Sequence, residues 1–402
     1  MVVKIHRGTH KIGGCITEIA TDRARIIIDM GEELPCGDEP GGPLLLDGVT
    51  TGKPRCDGVF LTHYHGDHAG MYESVLPEVP VYMGVTSRQI YACVQRTIYQ
   101  KAGKGNPERV ENFLPFTAGK AIRLHDITVT PYCVDHSAFD AYMFLIEAEG
   151  KRILHTGDFR MHGAKGRKMP AVYEKYARDI DLLITEGTML SRPNEKTFTE
   201  HDLGRRARRI LHDTKHVFVL CSATNIDTIA QFYHAALAER RAFVICEDDF
   251  QGEILRIVTA CAHSEFYKFD GKIYVYGVNL RAMMRDRGFC FLGRANAVTQ
   301  RAIKAFPAGT LVYSMWRGYL DKSHAAYDAY KGKFVEDAVA GGCKIEYLHT
   351  SGHACIEDIK RVCALTQAKI VVPVHCEKPE AFSQLGLNAD VRVLQDGEEI
   401  YC

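Results

Sequence analysis

Along the first part of the chain, hydrophobic residues come in short β-branched runs broken by glycine and charge, as in VVKIH, ARIIIDMG and GVFLTHYHGDHAG. Short runs of this kind, bounded by turn formers, predict strands. SRQIYACVQRTIYQ instead repeats its apolar residues at helical spacing. IRLHDITVTPYCV, AYMFLIEAEG, KRILHTGDF and DIDLLITEGT each read as a strand with a polar loop behind it. This is the profile of stacked sheets whose strand ends carry a site.

From about Ser191 the rhythm becomes an alternation. A helix is predicted near 201–213, a strand at HVFVLCSA, a helix over 225–239, a strand at RAFVICE, a helix after Asp249, a strand at GTLVYSMW and a helix around 324–339. Such alternation indicates a parallel sheet flanked by helices. CKIEYLHTSGHA, a helix near 356–365, KIVVPVHCE and VRVLQDGEEIYC then return to strands with histidines at their ends. The predicted class is α/β: a first domain over 1–190 and 346–402, interrupted by an inserted α/β domain over 191–345.

Composition narrows the function classes. With 402 residues, 46% of them hydrophobic and 25% charged, the chain has the make-up of a soluble globular enzyme. Fifty Lys plus Arg balance fifty Asp plus Glu, so any polyanion binding must be local. No run approaches the roughly 18 apolar residues of a membrane span, and the opening MVVKIHRGTHKIGG lacks a secretory core, so a cytoplasmic protein with no membrane partner is expected. Fourteen cysteines without a C-x-x-C pair are expected to be reduced and buried, which leaves a metal site to His and carboxylate ligands.

His63-Tyr64-His65-Gly66-Asp67-His68 sets four potential ligands at a strand end. On extended backbone alternate side chains share a face, so His63 and His65 can converge on one ion, while a turn after Gly66 aims Asp67 and His68 at a second. An exposed polar loop is the bland alternative. It suits a lone histidine better than three imidazoles and a carboxylate, which repel or need partners unless a cation sits among them. His136, Asp158, His353 and His375 each follow a predicted strand as well.

Taken in order, the IIIDMG aspartate, the H-x-H-x-D-H block, His136 in VDHSAFD and Asp158 in HTGDFR resemble the motifs of the metallo-β-lactamase superfamily. Glu186 in LLITEGT, His353 in SGHA and His375 in PVHCE resemble the further motifs of its β-CASP branch, and the set is most similar to the ribonuclease J group. The resemblance implies an αββα sandwich with an inserted β-CASP domain that closes over the site. It implies that His63, His65 and His136 hold one divalent ion, that Asp67, His68 and His375 hold another, and that Asp158 bridges them, with zinc expected and manganese the alternative. Asp29 and His155 would steady these ligands. Asp67, Glu186 and His353 would form the catalytic set, His353 gripping the scissile phosphate.

A paired-metal site lowers the pKa of water from about 15.7 toward 7 and holds phosphate oxygens, which suits a phosphodiester. Single-stranded RNA is the expected partner, DNA the second, and self-association is compatible with the sequence. CSATNIDTI resembles the family's strand-end recognition segment and places Ser222, Thr224 and Asn225 against phosphates, with Ser351 and Gly352 beside His353. Arg160, Lys165, Arg167 and Lys168 are further phosphate candidates. Arg205, Arg206, Arg208 and Arg209 form a basic helix face opposite Leu203, Ala207, Ile210 and Leu211, a pattern that is ordinarily solvated.

The sequence departs from the ribonuclease J pattern at Thr224, where Ser is common, at Thr228, where Arg is common, and at YSMWRGY, where Gly-Thr-Gln-Gly is usual. From its 402 residues, no room is expected for that group's extra C-terminal domain. These departures bear on 5′-end recognition and on exo- versus endonuclease action more than on hydrolysis. The alternatives are a metallo-hydrolase of DNA or of a small ester or phosphodiester, and a non-catalytic nucleic-acid-binding subunit, which would require missing ligands.

Overall fold

The computed structural model describes residues 1–34, 44–192 and 198–402. Among these, β1 (Val2–Arg7), β2 (Ile16–Ala20), β3 (Arg25–Ile28), β4 (Gly58–Phe60), β5 (Val81–Gly84) and β6 (Leu114–Phe116) build one sheet. A second is built by β7 (Ile122–Leu124), β8 (Ile127–Cys133), β9 (Tyr142–Ala148), β10 (Lys151–His155) and β11 (Leu182–Glu186). The third comprises β12 (His216–Leu220), β13 (Ala242–Ile245), β14 (Ile273–Val275), β15 (Phe289–Gly293), β16 (Thr310–Tyr313) and β17 (Lys344–Tyr347). The chain then returns: β18 (Ile370–Val374) and β19 (Asp390–Val391) extend the second sheet, and β20 (Glu399–Tyr401) pairs with β1.

Two compact units result, Met1–Lys196 with Gly352–Cys402, and Thr197–Ser351. In the first, the alternation of β1 turns Val3 and Ile5 inward, where they join Ile19, Ile26, Ile28 and Phe60 against Val129, Phe144, Ile146, Ile153, Leu182 and Val372 of the second sheet. The helix Val85–Ala102 packs on β5 and β6, outside the first sheet, and the helices Met169–Tyr176 and Ile356–Thr366 pack on each other. The architecture is an αββα sandwich. In the second unit every strand pairing is parallel, and β12 and β15 are buried almost throughout, as expected of strands covered on both faces.

Strand direction positions the site. β3 and β4 run parallel, as do β10, β11 and β18, so each group ends along one edge of its sheet. Asp29, the block from His63 to His68, Asp158, Glu186 and His375 all lie at those ends. Asp29 (φ 63°) and His375 (φ 50°) occupy the left-handed region that L-residues seldom adopt, a strain that tends to mark functional positions.

One predicted boundary shifts. The helix expected from 324 begins at Ala329, because the Asp328 side chain accepts from Lys331 N and caps it there. No disulfide joins the described cysteines.

On β2, burial would raise the Glu18 carboxyl, but hydrogen bonds from His6 (2.7 Å) and Arg25 (2.7 Å) hold it down to about 2. A depressed carboxylate stabilises the fold above its ordinary pKa of 4.5, and the contribution disappears as pH falls toward 2. E18Q should therefore cost about 1–3 kcal/mol at pH 7. Urea titrations at descending pH should show that difference narrowing below the ordinary value.

Candidate metal centre

Three imidazole nitrogens meet at the mouth of β4. His63 Nε2 lies 3.0 Å from His65 Nδ1, which lies 3.4 Å from His136 Nε2. Their protons can be assigned by elimination. Thr62 gives its hydroxyl proton to Asp29 (2.9 Å), so the contact between Thr62 Oγ1 and His63 Nδ1 (3.0 Å) is made by His63 N–H donating. His136 Nδ1–H donates to the Gly352 carbonyl at 2.7 Å. Both Nε2 atoms therefore carry lone pairs, and His65 Nδ1 can offer a proton to only one of them. Three converging lone pairs suit a cation.

The second pocket is built around a carboxylate. His68 Nε2 lies 3.2 Å from Asp158 Oδ1, while His353 Nδ1, His63 Nε2 and His375 Nε2 lie 3.5, 3.9 and 3.9 Å from Asp158 Oδ2. His375 Nε2 also lies 3.1 Å from Asp67 Oδ2. His68 Nδ1–H donates to Asp29 Oδ2 at 2.8 Å, so Nε2 is the nitrogen turned toward Asp158. That nitrogen and both Asp158 oxygens are buried and make no hydrogen bond. A buried carboxylate among converging imidazoles is costly without positive charge beside it, so this donor set would fit divalent ions, which would supply that charge and a Lewis acid.

Charge states follow the same geometry. Burial pushes His63 and His136 well below the ordinary imidazole value and His65 down to about 4, the neutral form a ligand needs. Burial would lower His68 too, but Asp158 beside it pulls the pKa up. For Asp158 burial works upward, and the charges of His375, His68 and His353 outweigh it and hold the carboxyl well down. Protons sit here where cations can replace them.

Two hydroxyls that sequence reasoning missed orient the ligands. Thr62 relays from Asp29 to His63, so Asp29 fixes one ligand in each pocket: His68 directly and His63 through Thr62. Thr188 Oγ1 lies 2.7 Å from His375 Nδ1 and 3.3 Å from the His375 carbonyl, placing it to accept from the ring and donate to the carbonyl. The available signal was only their position beside ligand segments, in LTHYH and EGT. His155 is buried and its Nδ1 accepts from Gly157 N (3.2 Å), which steadies the turn leading to Asp158.

Glu186 is more than a turn residue. Its Oε1 accepts from Phe159 N (3.0 Å) and Ala354 N (3.3 Å), and His353 Nδ1 donates to its Oε2 at 3.1 Å. It thus ties the Asp158 loop to the His353 loop. Burial would lower His353, but Glu186 and Asp158 raise it to about 9.

Comparisons with known proteins bear on this site. Residues 41–230 match the family described as Beta-lactamase superfamily domain, and 342–393 match the Zn-dependent metallo-hydrolase RNA specificity domain. Residues 41–230 thus carry a metallo-β-lactamase superfamily domain, and the chain is similar to the ribonuclease J group. It is 28% identical over 243 residues to Ribonuclease J of Mycobacterium tuberculosis, covering 58% of this chain and 42% of that protein. To Ribonuclease J of Helicobacter pylori it is 21% identical over 441 residues, covering 98% of this chain and 59% of the relative. The chain thus spans about half the length of these relatives. A crystal structure of a protein of unknown function from Enterococcus faecalis V583 has the same fold, with a TM-score of 0.78, 21% identity and 99% of both chains covered.

The residues that the sequence reading assigns to the metal centre all lie in the first unit. Ser222, Thr224 and Asn225 lie in the second unit after β12; Ser222 Oγ and Thr224 Oγ1 are 2.8 Å apart, and the Asn225 side chain caps the helix Ile226–Ala238 by accepting from Thr228 N (3.3 Å). Ser351 ends that unit, and Gly352 opens the return to the first.

Arg160 departs from expectation. Rather than reaching a phosphate it is fully buried, its backbone N–H donating to the Asp135 carbonyl (2.7 Å) and its guanidinium lying 3.7 Å from the Asp135 carboxylate. An arginine tied to a buried carboxylate braces the Asp158 loop and is withdrawn from solvent. Lys165 lies over the Phe139 ring, while Arg167 and Lys168 are exposed. On the basic helix, Arg208 pairs with Glu239 (2.7 Å), Arg205 with Asp202, and Arg206 stacks on Phe198, as a solvated face does.

Because Asp29 orients a ligand in each pocket, D29A should weaken binding of both ions about 10–100-fold while the chain stays folded. Calorimetric metal titration of the metal-stripped protein measures this. Unchanged affinity would show that Asp29 merely shapes the turn.

Proposed function

We propose that the chain is a metal-dependent ribonuclease that hydrolyses phosphodiester bonds of single-stranded RNA in the cytoplasm. The observation that carries the reading is the convergence of His63, His65, His136, Asp67, His68, His375 and Asp158 on two adjoining pockets. The RNA specificity match over 342–393 points the chemistry at RNA. Two divalent ions, zinc foremost, would supply an activated water at neutral pH and neutralise phosphate charge.

The chain's own residues do the remaining work. His353, held at Nδ1 by Glu186, is assigned to donate from its far side to a phosphate oxygen and stabilise the charge that develops in the transition state. Glu186 keeps the ring aimed, and its bonds to Phe159 N and Ala354 N couple that aim to the Asp158 loop. Under this reading 1–190 and 346–402 form the catalytic domain, and 191–345 is the inserted β-CASP domain. Ser222 and Thr224 would meet substrate phosphates, with Asn225 donating from the amide nitrogen its capping bond does not use.

Incubation with end-labelled RNA bearing a 5′ monophosphate, triphosphate or hydroxyl, alongside single-stranded DNA and chromogenic esters, tests this. RNA should be cleaved with the highest kcat/KM, and product sizes report end-trimming or internal cutting. H65A should lose both an ion and cleavage. H353A should keep its metal content while kcat falls about 10²–10³-fold. Intact RNA beside a cleaved ester or DNA would assign the same centre to another substrate.

A further inference from the structure

One thiol lies within reach of the second pocket and has no part in the superfamily pattern described above. Cys15, in the turn before β2, is 4% exposed. Its N–H donates to the Asp67 carbonyl (3.1 Å) and its carbonyl accepts from Gly31 N (3.1 Å), so its backbone is fastened to both the ligand block and the loop after Asp29. The Cys15 sulfur and one ring nitrogen each of His68 and His375 all lie within 4.8 Å of one another.

Bonds of about 2.3 Å to sulfur and 2.0–2.1 Å to imidazole at tetrahedral angles put ligand atoms on one zinc roughly 3.3–3.6 Å apart, so these three would share an ion after closing by about an ångström. Two independent observations support such sharing. His68 Nε2 is buried and makes no hydrogen bond. Gly8 (φ 104°) backs the sulfur, a Cβ there approaching it to 3.3 Å, and its carbonyl also accepts from His375 N (2.7 Å), so one backbone segment locates both thiol and imidazole.

We propose that Cys15 supplies a sulfur ligand to the ion held by His68 and His375 and thereby biases that position toward zinc over manganese. The proposal rests on the two-ion reading of the centre. As the ion enters, the Cys15 S–H bond breaks, a sulfur–metal bond forms, and the proton leaves to solvent, with no change of oxidation state. Thiolate is a soft ligand that suits zinc, whereas manganese is suited by oxygen donors. Among the described residues a second cysteine-bearing cluster, His162, Cys355 and Asp358, has an internal explanation: Asp358 accepts from Met161 N (3.1 Å) and Cys355 N (3.3 Å) in the capping box of the helix Ile356–Thr366.

Zinc-edge X-ray absorption on wild type, C15S and C355S, with metal content and circular dichroism measured in parallel, tests the assignment. Wild type and C355S should bind about two zinc ions and show a sulfur scatterer. C15S should stay folded, show only nitrogen and oxygen scatterers, and lose about tenfold in zinc-over-manganese preference by competition titration. Two bound zinc ions without sulfur in wild type, or a sulfur signal that survives in C15S, would overturn the role of Cys15 and leave the two-ion centre standing. Absence of bound zinc in metal-replete wild type would sink both.

Discussion

A buried carboxylate without hydrogen-bond donors governs the first unit. Asp158 is 2% exposed, and its neighbours are His63, His68, His353 and His375. Removing such a charge from water costs several kcal/mol unless counter-charge compensates it. The charges of His68 and His353 supply part of that compensation, and divalent ions held by the surrounding side chains would supply the rest. Divalent ions would satisfy the converging imidazoles and this carboxylate together, and the surrounding structure holds those side chains in position.

Asp29 does much of that holding. Three bonds from Thr62 N, Thr62 Oγ1 and His68 Nδ1 converge on it, and through them the tautomers of ligands in both pockets are set. The left-handed backbone at Asp29 and His375 is the strain this aim entails, offset by the apolar core between the two sheets. Parallel pairing of β3 with β4, and of β10, β11 and β18, delivers the ligands of each sheet to a common edge without long loops.

Much of this was legible in the chain. Asp67 and the three histidines of the 63–68 block are close in sequence, so their clustering could be read from spacing, and Asp158 and His375 declared themselves by following apolar runs. The alternation after Ser191 gave the parallel sheet because fully buried strands and amphipathic helices differ strongly in period. Partners distant in sequence were not legible. Thr188 meets His375, and Arg160 turns inward to Asp135 instead of outward to a phosphate. Nothing local distinguishes a buried arginine from an exposed one. Asn225 was read as a substrate contact, yet its carbonyl oxygen caps a helix, a role its N-x-x-T spacing also permits. Strands as short as Leu114–Phe116 and Ile273–Val275 carry too few residues for a period to emerge.

The central claim is that these imidazoles and carboxylates surround two cations. Anomalous diffraction from crystals grown with zinc tests it most directly. Two peaks are predicted, one among His63, His65 and His136 and one among Asp67, His68 and His375, with Asp158 touching both. A map with no anomalous density between these side chains, at full zinc loading, would contradict the account.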